Sequence, residues 1–129
     1  SPTFKEDVKK SFTYIKSDSY VIKPNEFVLA ASYETFNIPD NLSMELKDKS
    51  TLARLGIQVF NTISECSWKG ILVIEIYNNS NNSIRLSSGM AIAQAVFHKL
   101  KTKPMTTYAD RKGKYQNQGN SLSRVTLAR

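Results

Sequence analysis

A chain of 129 residues, of which 40% are apolar, is long enough for one domain with a hydrophobic core. It contains no run approaching the roughly 18 consecutive apolar residues of a membrane-spanning helix, and its polar start lacks a secretory signal. The net charge of +7 comes from dispersed lysines and arginines without an RNA-binding signature, so we expect neither a nucleic-acid nor a membrane partner. A nucleoside triphosphate explains the cluster of basic residues at 99–114 about as well as a nucleic acid would.

The sequence contains one cysteine, Cys66, and one histidine, His98. These two residues cannot form an internal disulfide or a Cys/His zinc site, and the zinc-deaminase signature H-x-E followed by P-C-x-x-C is absent. A single cysteine fits a reducing compartment, so we expect a cytoplasmic protein. Hydrolytic chemistry would have to use carboxylate, hydroxyl and guanidinium groups, together with any magnesium ion that a substrate carries.

Residues 1–18 are polar and charged, and they allow a short helix at Lys5–Lys10. Because the chain starts with serine instead of methionine, we expect that this is not the native beginning. From Tyr20 onward, short apolar stretches alternate with turn residues, which indicates an all-β barrel or sandwich. The predicted strands are Ser19–Ile22, Phe27–Ser32, Ser43–Leu46, Gly56–Val59, Gly70–Tyr77, Ser83–Leu86 and Ala91–Leu100.

The segment Thr51–Leu55 lies between two of these strands and consists mostly of good helix formers, which predicts a single helical turn. Ser50 and Thr51 are candidates for its cap. Free backbone N–H groups at its start would suit an anion, and the alternative is that Ser50 only caps the turn.

Residues 104–129 differ from the strands before them, because the stretch Tyr108–Gly119 is polar, basic and aromatic without periodicity. A bland tail is the simplest interpretation, and a lid that orders over a phosphate-bearing ligand is the alternative. We therefore divide the chain into a polar N-terminal segment (1–18), a β-barrel domain (19–103) and a C-terminal lid or tail (104–129).

Glu75 is the only charged residue in the strand segment Ile71–Tyr77. A strand that is apolar at both parities is normally covered on both faces, so a carboxylate there would be removed from water. Burial raises the pKa of a carboxyl group and makes it a candidate proton carrier near neutral pH. The alternative is that Glu75 lies at a solvent-facing edge or pairs with a basic side chain.

Three separated segments carry a family resemblance. They are Lys49–Gly56 (K-S-T-L-A-R-L-G), the run from Trp68 through Glu75 to Asn78, and Gly89–Gln94, followed by the Tyr108 region. In this order and spacing they resemble the dCTP deaminase family, a branch of the dUTPase-like superfamily. The resemblance implies a distorted β-barrel that works as a homotrimer with active sites between subunits. It also implies hydrolysis of dCTP to dUTP and ammonia, with magnesium on the triphosphate and no zinc.

By this resemblance, Glu75 is the catalytic glutamate that activates water and passes protons to the leaving amine. Ser50 and Arg54 match the family's R-S-S-x-x-R motif, where the serine helps hold the water and base and the arginine pairs near the glutamate. Lys49 and Thr51 complete that motif and are assigned to substrate binding. Lysine keeps the charge of the usual arginine but not its bidentate fork.

The same resemblance assigns further substrate contacts. Val73 and Ile74 would offer backbone groups along the cytosine edge, and Glu65 stands where many members place an aspartate near the deoxyribose. Tyr108, Lys114 and Gln118 match tail residues that close over the triphosphate.

The chain departs from the family in its N-terminal part, where members normally carry a longer segment with a Val-Asp-x-Arg-like strand. It is therefore either a fragment or a degenerate member that keeps the barrel. The alternatives to a deaminase are a bifunctional enzyme that also cleaves the triphosphate to dUMP, a plain dUTPase, or a non-catalytic barrel that binds a nucleotide or partner.

Overall fold

A computed structural model of the chain describes residues 12–102, 108–111 and 125–128. These residues form ten strands and two single-turn helices. The strands are β1 Phe12–Ile15, β2 Ser19–Ile22, β3 Phe27–Asn37, β4 Leu42–Asp48, β5 Ile57–Val59, β6 Thr62–Ser64, β7 Lys69–Asn78, β8 Ile84–Ser87, β9 Ala93–Lys99 and β10 Val125–Ala128. The helices are α1 Ser50–Ala53 and α2 Tyr108–Arg111, and neither described helix is long or apolar enough to cross a bilayer.

The strands pair into three antiparallel sheets. The first has the order β1-β10-β3-β7-β5, the second pairs β2 with β8, and the third has the order β6-β4-β9. The longest ladder joins β3 to β7, from the pair Phe27–Tyr77 to the pair Asn37–Lys69. Among the described strands the ladders do not close into one ring. The prediction of a mainly β, distorted barrel-like fold is confirmed.

One hydrophobic core lies between the sheets. In the described part of the chain it is built from twelve buried side chains: Ile22, Val28, Ile38, Met44, Leu46, Leu52, Ile57, Val59, Trp68, Leu72, Ile74 and Ile76. Alternation along each strand sends every second side chain inward, so β7 contributes Leu72, Ile74 and Ile76 to this core. The residues between them, Glu75 among them, lie on the opposite face of the five-stranded sheet.

Asn78 fixes the end of β7 and is completely buried. Its side-chain amide donates hydrogen bonds to the carbonyl oxygens of Ile22 (3.0 Å) and Asn82 (2.7 Å). Its Oδ1 accepts hydrogen bonds from the backbone N–H and the hydroxyl of Ser80, at 2.9 and 2.7 Å. The turn after β7 is therefore anchored by one side chain, and this holds the strand that carries Glu75 in place.

The outer face of the three-stranded sheet carries a small charge cluster. Glu45 accepts from the Nε2 of His98 at 3.0 Å and from the Nζ of Lys47 at 3.2 Å. The hydrogen bonds from His98 and then from Lys47 lower the pKa of Glu45. Exposed pairs of this kind stabilise a fold only weakly.

Several strand predictions differ from the structure. The predicted strand Phe27–Ser32 continues to Asn37 because the ladder resumes after a register shift between Ala31 and Thr35. The short strands β1 and β6 were not predicted. The expectation that Ser50 or Thr51 caps the helical turn is wrong, because Lys49 occupies the N-cap position and makes no side-chain capping bond.

The predicted helix at Lys5–Lys10 lies outside the described residues. Two short strands near the ends of the chain, β1 and β10, pair with each other, and β10 also pairs with β3. The division into segments 1–18, 19–103 and 104–129 stays a prediction.

Candidate functional site

Glu75 lies near the middle of the outward face of β7. The inward residues of this strand are fully buried, whereas Ile71, Val73, Glu75 and Tyr77 on the other face are half-buried. The sequence of β7 predicted that both faces of the strand are buried. Among the described residues of one chain, only the inward face is fully buried. The lone carboxyl group therefore lies on a half-buried apolar surface that a ligand or a second surface can still reach.

The carboxyl group of Glu75 is poorly solvated. Its Oε2 is buried and has no hydrogen-bond partner among the described residues. Burial raises the pKa of Glu75, and a hydrogen bond from its own backbone partly opposes that rise. A carboxyl group with a raised pKa can give and take a proton closer to neutral pH than an exposed one.

A recess of about 360 Å³ opens beside Glu75 and is lined by Phe27, Phe60, Asn61 and Thr62. Phe27 begins β3, whereas the other three residues follow β5, so the recess forms where two segments meet beside β7. None of these four was among the predicted site residues. The available signal was the aromatic and polar run that directly follows the short apolar strand β5.

The residues of the K-S-T-L-A-R motif lie on and around α1. Leu52 is buried and holds the turn against the core, while the side chains of Ser50, Thr51 and Arg54 are exposed and Lys49 is half-buried. Within the described part of one chain, no hydrogen bond or ion pair joins Ser50 or Arg54 to Glu75. Among the described residues, the three predicted catalytic groups are therefore not joined to one another by hydrogen bonds or ion pairs.

Asp48, the residue directly before the K-S-T-L-A-R motif, is tied by hydrogen bonds to the end of β5 and to β9. Its Oδ1 accepts a hydrogen bond of 2.6 Å from the N–H of Val59, and its carbonyl oxygen accepts one of 3.0 Å from the Nε2 of Gln94. Phe60, which follows Val59 in the chain, donates its N–H to the carbonyl oxygen of Glu75 at 3.1 Å. The start of α1, the start of β9 and the strand that carries Glu75 are thus held in fixed positions.

The two residues expected to offer backbone groups to a ligand face opposite edges of β7. The carbonyl of Glu75 points toward the β5 side, where it meets Phe60, so by alternation the backbone groups of Val73 point to that side too. Ile74 points toward β3, where it is paired with Ala30. Among the described strands, none pairs with β7 on the β5 side at Val73, so its backbone groups are the more accessible pair.

The remaining predicted substrate contacts lie elsewhere. Glu65 is exposed in the loop before β7, and its carbonyl oxygen accepts from the N–H of Trp68 at 3.3 Å. The ring of Tyr108 packs against the hydrophobic core at the start of α2. Lys114 and Gln118 lie outside the described residues.

A larger cleft of about 1250 Å³ lies on the other side of the five-stranded sheet, lined mostly by apolar side chains such as Val28, Ile74 and Phe97. It contains none of the predicted catalytic residues, so the chemistry points to the smaller recess. Among the described residues, no group of three or more His, Cys, Asp and Glu side chains is placed to hold a metal ion.

The dCTP deaminase-like family model matches residues 4–100 of the chain. The dCTP deaminase of Roseiflexus castenholzii is 43% identical over 109 residues, which cover 84% of the chain and 59% of that protein. The dCTP deaminase of Acinetobacter baumannii (strain AYE) is 42% identical over 110 residues, which cover 85% of the chain and 58% of that protein. The chain thus spans about three-fifths of the length of these relatives.

Solved structures show a similar fold. A mutant dUTPase of Staphylococcus bacteriophage 80alpha, solved with the nucleotide analogue dUpNHpp, matches with a TM-score of 0.58 and 18% identity. The match covers 75% of the chain and 85% of that protein. A second mutant of the same dUTPase gives the same TM-score and identity, with 75% of each chain covered. At this identity the likeness concerns the dUTPase-like fold alone.

Proposed function

Because the chain belongs to the dCTP deaminase-like family, we propose that it contributes the catalytic centre for hydrolysis of the 4-amino group of dCTP to dUTP and ammonia. The observation that carries this proposal is the carboxyl group of Glu75, whose buried Oε2 has no hydrogen-bond partner among the described residues. A buried oxygen without a hydrogen bond destabilises a fold unless another molecule donates a hydrogen bond to it. A substrate that enters the adjacent recess would supply the missing partner.

In the proposed reaction, Glu75 moves every proton. The protonated carboxyl group gives its proton to N3 of cytosine, and the resulting carboxylate takes a proton from the water whose oxygen bonds to C4. The carboxyl group then protonates the 4-amino group, the C4–N bond breaks and ammonia leaves. The proton of the new C4 hydroxyl returns to the carboxylate as the C4 carbonyl forms. The raised pKa of Glu75 favours the protonated starting state.

The groups around this shuttle take complementary roles in the proposal. Ser50 holds the attacking water and the base by hydrogen bonds, and Arg54 stabilises the negative charge that develops during addition. Lys49 and Thr51 contact the substrate from the same turn. The open edge of β7 at Val73 offers backbone groups to the cytosine edge, with Ile74 placed beside it by resemblance.

The proposed triphosphate contacts lie at the C-terminal end of the chain. Tyr108, Lys114 and Gln118 would close over the triphosphate, while Glu65 would lie near the deoxyribose. Magnesium enters as part of the substrate, bound to the phosphate oxygens that such a hard cation prefers. A dUTPase of similar fold was solved with the nucleotide analogue dUpNHpp, which supports a nucleotide as the ligand proposed here.

We further propose a homotrimer in which each site is shared between two copies. The outward face of the five-stranded sheet presents half-buried apolar residues, including Phe12, Phe27, Leu29 and Val73. Contiguous apolar surface of this kind marks interaction sites. A neighbouring copy that covers this face would supply Ser50 and Arg54 to the Glu75 of the first, a pairing that the described residues of one chain do not make.

The direct test is to incubate the protein with dCTP and magnesium and to separate dUTP, dUMP and ammonia. Formation of dUTP and ammonia supports the deaminase, and dUMP with ammonia identifies the bifunctional enzyme. Conversion of dUTP but not dCTP identifies a plain dUTPase, and the absence of any product leaves a non-catalytic barrel. Chelation of magnesium should stop turnover.

The shared site is tested by mixing two inactive variants. Glu75→Gln and Arg54→Ala should each abolish turnover alone. If a site combines Glu75 of one subunit with Arg54 of the next, random mixed trimers should regain about a quarter of the sites, because each site then draws its two residues from independent copies. A mixture that stays inactive after subunit exchange, shown by mass spectrometry, would place all the groups within one chain.

A further inference from the structure

Two aromatic side chains border the catalytic carboxyl group, and their contacts are well defined. The N–H of Phe60 donates to the carbonyl oxygen of Glu75 at 3.1 Å, which places Phe60 beside Glu75 across the edge of β7. The rings of Phe60 and Phe27 meet edge to face with centroids 5.9 Å apart. Both rings line the recess into which Glu75 opens.

The other neighbours of Glu75 are uncharged. Leu29 lies directly opposite on β3, and directly opposite residues share a face of an antiparallel sheet. Along β7 itself, Val73 and Tyr77 flank the glutamate on the same face, and the Tyr77 hydroxyl donates to the Oδ1 of Asn25 at 3.2 Å.

Besides Tyr77, this face carries the titratable side chains of Tyr14, in the same cross-strand row two strands beyond Leu29, and of Lys69, at the other end of β7. Asn61 and Thr62 complete the recess with neutral polar groups. No described neighbour therefore offers Glu75 a charge, and its environment is set by water exclusion.

Phe60 is placed to control that exclusion. It is 40% exposed, so its ring covers the recess without being part of the closed core. Leu29 lies within the ladder between β3 and β7, whereas Phe60 follows the end of β5 in a short connection. Phe27 supports the Phe60 ring from behind through the edge-to-face contact, which such aromatic pairs favour.

On the basis of the proposed deamination, we propose that Phe60, supported by Phe27, is a positioning residue that shields one side of the Glu75 carboxyl group from water and leaves the other side open to the cytosine ring. The shield acts through Glu75 and takes no part in bond making. It raises the pKa of the carboxyl group and so favours the protonated form from which the proton transfer to N3 begins. Loss of the ring would admit water, stabilise the carboxylate and lower the pKa of Glu75.

The test is a ¹³C NMR titration of the Glu75 carboxyl group in the complete protein, compared among variants. The pKa of Glu75 should lie above the ordinary value of 4.5 in the unchanged protein and fall toward it in Phe60→Ala. Phe60→Leu retains apolar bulk and should preserve most of the elevation. The matched control is Phe97→Ala, because Phe97 is similarly exposed, at 53%, but lines the other cleft.

Activity gives a second readout that a purely structural role would not produce. In Phe60→Ala, kcat at about pH 7.5 should fall roughly tenfold for each unit by which the pKa of Glu75 drops, while KM for dCTP changes much less. Because a lowered pKa confines the protonated form to lower pH, the decline of the rate with rising pH should begin earlier. Phe60→Leu should restore both the rate and the pH profile.

These outcomes separate the shield from the deaminase. If Phe60→Ala leaves the Glu75 titration unchanged, the shield is wrong even when the protein deaminates dCTP. If Phe60→Ala shifts the Glu75 titration but the unchanged protein does not deaminate dCTP, the proposed function is wrong. Phe60 then shields Glu75 from water without a role in deamination. Should Phe60→Ala fail to fold, Phe60→Gln brings a polar side chain of intermediate size to the same place and must produce the same fall in pKa.

Discussion

Replacing Glu75 should remove catalysis without lowering the stability of the fold. Glutamine at this position keeps the size of the side chain and loses the titrating proton, whereas leucine also removes both polar atoms. General acid–base catalysis contributes typically about 10²–10⁴-fold to a rate, and in the proposed mechanism one group carries every proton transfer. We therefore expect kcat to fall by at least about 10³-fold in Glu75→Gln, with binding of dCTP largely preserved.

The stability effect should have the opposite sign. A buried polar atom without a hydrogen bond costs about 1–3 kcal/mol, and the Oε2 of Glu75 is such an atom among the described residues. Because the rest of this side chain is half-exposed, the lower end of that range applies. Glu75→Leu should stabilise the protein by about 1 kcal/mol, which raises Tm by a few degrees in a domain of this size.

The gain should grow with pH. Burial raises the pKa of Glu75 above 4.5, so the folded protein holds this proton more tightly than the unfolded chain does. The stability that this proton contributes is fully present below pH 4.5 and is lost as the pH rises through the folded pKa. Glu75→Leu lacks the titration, so its advantage over the unchanged protein should be larger at about pH 8 than at about pH 4.

The assays are steady-state kinetics with dCTP, equilibrium dCTP binding, and urea unfolding at both pH values. Glu34→Gln is the matched control, because the same substitution at an exposed position of β3 should change neither activity nor stability. Near-normal turnover in Glu75→Gln would refute the catalytic role. A loss of stability in Glu75→Leu at both pH values would instead show that the carboxyl group is structural.

Three further predictions concern the scaffold. Gly56→Ala should destabilise the fold by about 2 kcal/mol or more in thermal unfolding, because the new Cβ would lie 2.6 Å from the Cβ of Ser80. The control is Gly89→Ala, which is also at positive φ but has open space around it and should cost about 1 kcal/mol. Equal losses would exclude the clash. Asn78→Ala should cost about 3 kcal/mol or more in urea unfolding because it removes four buried or part-buried hydrogen bonds; a loss under about 1 kcal/mol would contradict this. Glu45→Gln should reduce Tm near neutral pH but not at low pH. The imidazole of His98 and the ammonium group of Lys47 lower the pKa of Glu45, so the stability that its carboxylate contributes disappears as the pH falls through that pKa. A loss of Tm independent of pH would argue against the pairing.

Much of the fold could be predicted because the signals are local. The strand Ser19–Ile22 was predicted at its observed bounds, and the apolar run around Glu75 defined β7 to within one residue at each end. The family resemblance carried by the K-S-T-L-A-R motif and the Glu75 strand is confirmed by the family match. Short contiguous patterns contain this information because period-2 alternation and turn residues act over a few positions.

The missed features depend on partners that are distant in the sequence. β6 spans only Thr62–Ser64 and exists because β4 pairs with it, which no three-residue pattern could reveal. The continuation of β3 beyond Ala31 requires a register shift between Ala31 and Thr35, after which β3 pairs with β7 again. The serine at position 50 looked like a cap by residue type, but the backbone begins the turn one residue earlier, at Lys49.

The candidate site divides in the same way. Glu75 was singled out from the sequence because a single charge in an apolar strand contradicts its surroundings, and the structure places it beside a recess; its catalytic role stays a prediction. The walls of its recess could not be identified, because Phe27 and Asn61 reach Glu75 only through the pairing of β3 and β5 with β7. The relation of Ser50 and Arg54 to Glu75 stays a prediction that the subunit-mixing experiment decides.

The half-buried face of β7 links the proposed chemistry to the proposed assembly. Within one chain the carboxyl group of Glu75 is neither fully solvated nor fully enclosed, and the apolar residues around it are in the same intermediate state. A neighbouring copy that covered this face would gain stability from Val73 and Leu29 while completing the dry environment that proton transfer requires. The two effects use the same surface, so a polar substitution at Val73 should weaken the trimer and lower the pKa of Glu75 together. If the trimer dissociated while the pKa of Glu75 stayed raised, water exclusion at Glu75 would come from the shield of Phe60 and Phe27 alone, and assembly would serve only to bring in Ser50 and Arg54.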